Sequence, residues 1–590
     1  MQELVMNALQ GTFLAALLLP TISLANNDDI VVTGTRSERA IEDLIVPVSV
    51  INRQQIELSA ASDLAELLRF EAGLDIGRNG GPGQPTSVFL RGTESNHTLL
   101  LIDGVRANPG TIGGGAFQNI SPEVIQRVEI VKGGRSSLYG TDAIGGVINV
   151  ITRSAGDGYA EAGAGGGSFG TRTAYTSFAA SGQKGEFGAT IDWQDTDGYA
   201  IRTDSPVERG YDNLSANLYG SRRIGNATLT ARHWRATGNS EYLDYFLTPL
   251  DQDYRNETSS LELANPLGEN SSSKLLVSYM VDDIAQNQSP DFVISKRLGV
   301  DWQVSTVVAN HNLAAGVYAT NESAESLSFG SGFDMDTETR AVFMHDSIEA
   351  GRHRVFLAGR YTDHDTFGNE FTWNAEYALD VNERLTLSAG LGHAFRAPDA
   401  TDRFGFGGNA DLQPEVADEV QLGARFAVSE RHTLHFDLYQ NDIEDLIEFD
   451  FTSFTLQNIN KAELRGAQLG WAYTGEQFDA RVDVISQTAE NAADGSRLLR
   501  RPERSMTINL RRRIGEHAIG LSLLASGDRE DIASTLPGYM LLNLTGQFTI
   551  SRNWQTNLKI ENLFDKQYQT AAPYRMSERG AFLELKYRWK

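Results

Sequence analysis

The sequence predicts an all-β membrane protein, a large antiparallel transmembrane β-barrel of about 22 strands occluded by a small N-terminal α+β plug domain. Residues 87–150 form a compact unit of short apolar segments broken by glycine-rich turns. Residues 156–590 instead alternate apolar and polar side chains between polar loops. Beyond residue 25 there is no run of eighteen apolar residues, which excludes spanning helices but not spanning strands. A small folded unit ahead of a long alternating array therefore indicates a plug within a barrel.

Composition excludes several classes of function. The 590 residues carry a formal net charge of −26, which argues against nucleic acid as a partner because phosphate binding needs a basic face. The chain has no cysteine, so disulfides, thiolate metal sites and cysteine nucleophiles are excluded. A glycine–serine motif at residues 166–170 matches the hydrolase pattern G-x-S-x-G but lacks its strand–turn–helix context. We find no catalytic constellation and expect no enzyme activity.

The N-terminus has the features of an exported chain. An apolar stretch at residues 12–24 precedes Ser23-Leu24-Ala25, which predicts a signal peptide over residues 1–25. The segment before it is atypical, because residues 1–11 contain no lysine or arginine. A polar tether then leads to a β-prone segment at residues 30–35. Taken alone, this segment could pair with a partner's sheet edge or form the first strand of the domain.

Residues 26–155 are predicted to form the plug. A strand is expected over residues 47–51, and a short amphipathic helix over residues 62–69 with Ser62 as its cap. Glycine-rich loops at residues 77–84 and 108–115 follow strands and permit tight reversals. In a plug, such loops are the places where a ligand could rest.

Residues 156–590 are predicted to form the barrel. One predicted strand alternates apolar residues, expected to face lipid, with polar residues expected to face the lumen. The outward set is Phe371, Trp373, Ala375, Tyr377 and Leu379, and the inward set is Thr372, Asn374 and Glu376. At roughly 20 residues for a strand and its connection, this segment provides about 22 strands. A lumen of that width needs a plug.

Several motifs resemble the TonB-dependent outer-membrane receptor family. They are residues 87–92, 101–105, 128–133 and 139–150 in the plug, and residues 395–398, 408–415, 500–502, 537–539 and 561–566 in the barrel. The family likewise implies 22 strands. Within the family, the likeness is greatest to receptors for cobalamin. The resemblance also marks a TonB box, the segment that pairs with TonB, at Asp29, Ile30, Val31, Val32, Thr33 and Gly34.

The resemblance implies an energy-coupled transporter in the bacterial outer membrane. It would bind cobalamin outside the cell and deliver it to the periplasm, driven by TonB, as a monomer surrounded by outer-membrane lipid. An iron–siderophore or haem receptor is the first alternative, and a passive porin is the second. The implied ligand contacts are Pro85, Ser87, Glu94, Ile112, Gly113 and Arg500.

Calcium is an expected cofactor, because acidic residues gather in two predicted loops near residues 195–215 and 241–255. Calcium takes six to eight oxygen ligands, which neighbouring loops could provide together. The resemblance marks Asp212, Tyr242, Asp244 and Asp253, with Asp204 and Asp251 as further candidates. Ala200 stands where the family's cobalamin receptor has an aspartate. Acidic, solvated loops without a bound ion are the alternative.

Overall fold

The structure, a computed structural model, describes residues 31–32, 36, 39–40, 44–156, 158–532 and 534–589. The predicted signal peptide and the tether after it lie outside the described residues. Among the described residues, no helix is both long and apolar enough to span a membrane.

The N-terminal unit is a mixed α+β domain. Its strands are β1 (Val31–Val32), β2 (Arg39–Ala40), β3 (Val48–Asn52), β4 (Leu74–Arg78), β5 (Thr86–Leu90), β6 (Thr98–Ile102), β7 (Val105–Arg106), β8 (Ile125–Lys132) and β9 (Gly146–Thr152). Its helices are α1 (Arg53–Ser59), α2 (Leu64–Leu68) and α3 (Ser136–Tyr139), with 3-10 turns at Ser95–His97, Phe117–Asn119 and Pro122–Val124. The central sheet has the order β3-β8-β9-β6-β7, and β4 and β5 form a separate hairpin.

Helix α2 begins one residue later than the sequence predicts. Asp63, rather than Ser62, is its N-cap and accepts a hydrogen bond of 2.8 Å from the backbone N–H of Glu66. Ser62 instead donates its own N–H and hydroxyl to the Glu66 carboxylate. The predicted cap was wrong because both residues can cap a helix, and Asp63 also forms an ion pair with Arg78.

Twenty-two strands of the described chain close into one antiparallel barrel in chain order. They are β10 (Tyr159–Gly167), β11 (Arg172–Gly182), β12 (Gly185–Arg202), β13 (Ser205–Ile224), β14 (Ala227–Leu243), β15 (Pro249–Pro266), β16 (Ser271–Gln286), β17 (Phe292–Val308), β18 (His311–Ser328), β19 (Ser331–Ala350), β20 (His353–His364), β21 (Gly368–Asn382), β22 (Leu385–Arg396), β23 (Glu415–Ser429), β24 (His432–Asp450), β25 (Thr455–Thr474), β26 (Phe478–Asn491), β27 (Arg504–Ile514), β28 (His517–Ser526), β31 (Tyr539–Thr549), β32 (Trp554–Glu561) and β33 (Gly580–Trp589). β10 pairs with β33, with Ala160 opposite Trp589, and this closes the barrel. The predicted fold class and strand number are confirmed.

The barrel wall has an apolar outer face and a polar inner face. On β21, Phe371 and Tyr377 are 56% and 40% exposed, whereas Thr372 and Glu376 are buried against the plug. This is the predicted phasing of the strand. Exposed Phe, Leu, Ile, Val, Trp and Tyr side chains recur on the outer face of the other strands, as a lipid-facing belt requires.

The two ends of the barrel differ in the length of their connections. One end has short turns, such as residues 183–184, 225–226 and 309–310. The other end, here called the long-loop end, includes residues 397–414 with helix α4 (Ala400–Phe404) and residues 527–538 with the hairpin β29 (Arg529–Asp531) and β30 (Ser534–Leu536). Outer-membrane barrels have short turns on the periplasmic side and longer loops outside the cell.

Candidate functional site

The first glycine-rich plug loop contacts the barrel wall near the long-loop end. Gly83 has φ +72° and lies against Tyr211, where a Cβ atom would be 2.0 Å from the ring, so only glycine is accommodated. The buried Gln84 amide donates a hydrogen bond of 2.6 Å to the Glu241 carbonyl. The loop therefore docks on strands β13 and β14. Of the two predicted ligand contacts here, Pro85 is exposed and Ser87 is half-buried.

The second plug loop is joined to a long barrel loop. The carbonyls of Gly110 and Thr111 accept hydrogen bonds of 2.9 Å from the N–H groups of Ala400 and Thr401, at the start of α4. Gly113, a predicted ligand contact, is buried, with φ +66° and close packing against the loop. Ile112, the other predicted contact, is 45% exposed beside it. The plug and this loop therefore form one continuous surface.

Below this junction, a buried arginine gathers three carboxylates. Arg396 bonds Glu415 at 2.7 Å and Asp399 at 2.9 Å, and it also forms an ion pair with Asp402. His97 of the plug lies 3.0 Å from the same Glu415 carboxylate, with both side chains fully buried. Burial and the neighbouring Asp402 raise the pKa of Asp399 well above its usual value. We call this set the Arg396 cluster, and it connects plug, barrel wall and outer loop.

Glu94, another predicted contact, pairs with Arg501, the neighbour of the predicted contact Arg500. Arg501 pairs with Glu94, donates a hydrogen bond of 3.1 Å to the Gly92 carbonyl and stacks over Phe89 at 4.7 Å. The predicted Arg500 bonds Asp531 of the adjacent loop at 3.1 Å instead. Arg501 was not among the predicted contacts, because the sequence does not show which of two adjacent arginines faces the plug.

Exposed aromatic side chains at the long-loop end are a feature that the sequence reasoning missed. They are Tyr245, Phe246, Phe329, Phe406, Phe451 and Phe454. Phe329 and Phe406 come from different loops, and their ring centroids lie 5.9 Å apart. The sequence does contain a signal for them, because these aromatic residues are clustered in segments that connect the strands. Such side chains provide apolar area for binding a large ligand.

The predicted calcium ligands come together only in part. Asn239 connects three of them: its amide donates to Asp251 and Asp253 at 3.0 and 2.9 Å, and its backbone N–H donates to Asp212 at 3.2 Å. The other three have separate partners: Asp204 pairs with Arg202, Asp244 accepts from the Thr248 N–H, and Tyr242 donates to Gln286. In the part of the chain that the structure describes, no three His, Cys, Asp or Glu side chains are grouped to hold a metal ion. Calcium binding stays a prediction.

The predicted TonB box lies largely outside the described residues, which include only Val31 and Val32 of its six positions. These two pair with Ala40 and Arg39 in a two-stranded sheet. Between these two strands, Arg36 forms an ion pair of 2.7 Å with Asp301 of the wall. Its guanidinium also stacks over Tyr139 of the plug at 4.8 Å. Arg36 thus attaches the N-terminal segment to the closed assembly.

A closed 22-stranded barrel filled by an α+β plug, with long loops at one end, is the architecture of an occluded outer-membrane receptor. Residues 144–563 match the family model described as TonB dependent receptor-like, beta-barrel, and residues 40–147 match the TonB-dependent receptor plug domain. The chain belongs to the TonB-dependent receptor family. It is therefore a TonB-dependent transporter of the outer membrane, not an enzyme, and the passive-porin alternative is wrong.

The chain is similar along nearly its whole length to curated relatives. It is 29% identical to the vitamin B12 transporter BtuB of Photobacterium profundum, covering 98% of each chain. It is 28% identical to the vitamin B12 transporter BtuB of Vibrio vulnificus, covering 95% of this chain and 96% of the relative.

Solved structures share the fold at lower identity. The ferric enterobactin receptor PfeA of Pseudomonas aeruginosa has a TM-score of 0.81 at 16% identity, covering 95% of this chain and all of that chain. The copper transporter OprC has a TM-score of 0.80 at 17% identity, and the match covers 92% of this chain and 99% of OprC. At these identities the likeness shows the fold alone.

Proposed function

We propose that this protein imports cobalamin across the outer membrane. The observation that carries the proposal is the likeness to two vitamin B12 transporters over 95% or more of the chain. The exposed aromatic residues and the two plug loops at the long-loop end support it, because a large ligand needs an extended apolar surface with a few polar contacts. The proposed cobalamin contacts at the long-loop end are Pro85, Ser87, Ile112 and the Glu94–Arg501 pair.

Release into the periplasm requires an outside source of energy. A ligand can shift a conformational equilibrium only by its differential affinity for the two states. The plug is held to the wall by many ion pairs, including Glu57–Arg588 and Arg135–Glu376. TonB would deliver the work through the N-terminal segment, which we propose pairs with it by strand addition at residues 29–34.

Equilibrium binding tests the cargo. Purified protein in detergent is titrated with cyanocobalamin, and separately with a ferric siderophore and with haem. We expect saturable binding of cyanocobalamin at micromolar concentration or below. An absence of such binding overturns the cobalamin proposal, and saturable binding of either iron ligand alone would support the receptor alternative instead.

A pair of substitutions tests the energy-coupling segment. Proline has no backbone N–H and weakens strand pairing, whereas threonine preserves the donor and favours strands. We expect Val31→Pro to abolish uptake in cells and to leave cyanocobalamin binding unchanged, and Val31→Thr to preserve both. Full uptake by Val31→Pro would contradict a role for this segment in strand addition.

We propose that calcium binds Asp212 of β13 and Asp251 and Asp253 of β15 and orders the loops next to them. The test compares cyanocobalamin binding with calcium and with a chelator. We expect the chelator to weaken binding by the wild type, and Asp253→Asn to reduce the calcium dependence. Asp334→Asn, at an exposed aspartate near the long-loop end of β19, is the matched control. Equal binding with and without calcium would overturn the proposal.

A further inference from the structure

A cavity between the plug and the wall includes Gly113 of the second plug loop, a predicted ligand contact, but no residue of the first plug loop. Its volume is about 90 Å³, several times the ~10–15 Å³ that one water molecule needs. It extends from residues 366–367 at the long-loop end to residues 139–142 of the plug. Its lining includes four arginines: Arg106, Arg297, Arg360 and Arg403.

The carboxylates of this cavity are already paired. Asp142 bonds Arg106 at 2.8 Å, and Glu322 makes a bidentate pair with Arg297. Asp399 belongs to the Arg396 cluster described above. Two of the four arginines are thereby neutralised locally, while Arg360 and Arg403 are left.

Arg360 is the inner of these two cations. It is only 1% exposed, yet no carboxylate of the described residues lies within 4.0 Å of it. Its neutral partners are the Thr362 hydroxyl at 3.1 Å and, at the long distance of 3.5 Å, the Leu138 carbonyl. Its guanidinium also lies 4.9 Å from the Tyr318 ring. A buried guanidinium without a counter-charge is costly, so the site favours an anion.

Arg403 lies at the outer part of the same cavity, on helix α4. Its guanidinium is held between the Phe367 and Phe404 rings at 5.1 and 4.6 Å. Within the described chain, its Nε has no hydrogen-bond partner and it forms no ion pair. The cavity thus has two guanidinium groups that form no ion pair within 4.0 Å among the described residues, one deep in the lumen and one near the long-loop end.

We propose that this cavity binds an oxyanion, a phosphate or carboxylate group, with Arg360 as its principal partner and Arg403 as the outer one. The planar guanidinium fork matches both anions with two parallel hydrogen bonds. The group could belong to a cargo molecule, such as the phosphodiester of cobalamin, or be a free ion. The cargo source rests on the proposed function, whereas the anion site does not.

Phosphate alone tests the site. Purified protein is titrated with inorganic phosphate by calorimetry, using wild type, Arg360→Gln and the control Arg340→Gln. Arg340 is on the adjacent strand β19, and its side chain is 71% exposed and paired with Glu338. We expect saturable binding by wild type and Arg340→Gln, and affinity at least about tenfold lower in Arg360→Gln. Equal affinity in all three, or no binding by any, overturns the proposal.

Folding of the variants is checked by the migration of unheated protein on SDS gels, which reports an intact barrel. If Arg360→Gln does not fold, Arg403→Gln decides, because α4 lies in a loop. We expect Arg403→Gln to weaken phosphate binding by about threefold or more. If Arg360→Gln misfolds and a folded Arg403→Gln protein binds phosphate with unchanged affinity, the proposal is overturned.

A comparison of two corrinoids separates the sources of the anion. Cyanocobalamin contains a phosphodiester, and dicyanocobinamide lacks it. If cargo provides the anion, Arg360→Gln weakens binding of cyanocobalamin but not of dicyanocobinamide. If Arg360→Gln weakens phosphate binding but leaves the ratio of the cyanocobalamin affinity to the dicyanocobinamide affinity unchanged, the site binds a free anion. Failure of both corrinoids to bind wild type defeats the cobalamin proposal, and the phosphate titration still decides the anion site.

Discussion

The interior of the plug and its contact with the barrel wall are built from different interactions. The interior is apolar and fully buried, with Val88, Leu100, Ile130 and Ile148 at 0–1% exposure. The contact with the wall adds many ion pairs, such as Glu66–Lys559, Glu71–Arg481 and Glu123–Lys586, to apolar patches such as the one that groups Ile144 with Ile443 and Leu464.

The interactions that keep the plug folded are therefore different from those that hold it in the barrel. Exposing apolar side chains to water costs about 25 cal/mol per Å², so the interior resists unfolding. Ion pairs can exchange their partners for water, and a buried pair contributes little net stability against its desolvation cost. We therefore expect the plug to leave the wall as a folded body more easily than it unfolds.

The largest effect is expected at the Arg396 cluster. Arg396→Met leaves Glu415, Asp399 and Asp402 without their cation, and removing one partner of a buried ion pair costs about 3–5 kcal/mol. We expect a lower thermal unfolding temperature in detergent, measured by calorimetry. Adding Glu415→Gln in the same chain should recover part of the loss. An unfolding temperature equal to that of wild type would show that the cluster does not hold the assembly together.

A slightly smaller effect is expected inside the plug. Leu100→Ala should cost about 2–5 kcal/mol, and the control Ile102→Val about 0.5–1.5 kcal/mol, because both side chains are buried and differ in the volume removed. The measurement is protease cleavage of the plug during heating, while unheated gels follow the barrel. If Leu100→Ala cost no more than Ile102→Val, apolar packing would not be the main support of the plug.

A pH effect is expected where a plug carboxylate meets the wall. Asp75 accepts a hydrogen bond of 3.0 Å from Gln487, and burial raises its pKa to about 6. The unfolded carboxyl ionises near 4, so the folded protein binds more protons between pH 4 and 6, and stability falls as the pH rises through that window. We expect Asp75→Asn to flatten this slope and to add about 1–3 kcal/mol at pH 7.

Unfolding midpoints of wild type and Asp75→Asn between pH 4 and 8 check this expectation. Asp334→Asn, which changes an exposed aspartate, should leave the slope as it is in wild type. If the stability of Asp75→Asn varied with pH as steeply as that of wild type, the interpretation that the pKa of Asp75 is raised by burial would be wrong.

The smallest effect on global stability is expected at Arg36. Arg36→Gln removes the ion pair with Asp301 and the stacking over Tyr139, but the N-terminal segment can then move away and leave Asp301 to water, so we expect a loss of about 1 kcal/mol. Mobility at the N-terminus should rise, measured with a spin label on Val32→Cys in a chain that has no other cysteine. Asp301→Asn should act in the same way, and Arg340→Gln should not. A spectrum unaffected by Arg36→Gln would show that this residue is not the attachment.

Regular parts of the molecule were predictable from the sequence. The lumen and lipid faces of β21 follow from strict alternation, because adjacent strand residues point to opposite faces and lipid tolerates few polar groups. The strand number followed from the length of the barrel segment. The N-cap of α2 was missed because Ser62 and Asp63 are both good caps, and the ion pair of Asp63 with Arg78 lies outside the local sequence.

The sequence by itself determined the architecture: a barrel of alternating strands, a plug ahead of it and a β-prone N-terminal segment. Only the tertiary structure decided which charges meet, because partners such as Arg36 and Asp301 are 265 residues apart and the partners His97 and Glu415 are 318 apart. Which of these distant residues come into contact depends on how the barrel closes and on how the plug is rotated within it. Among the described residues, Arg360 has no carboxylate within 4.0 Å, and this too can be recognised only after every neighbour has been placed.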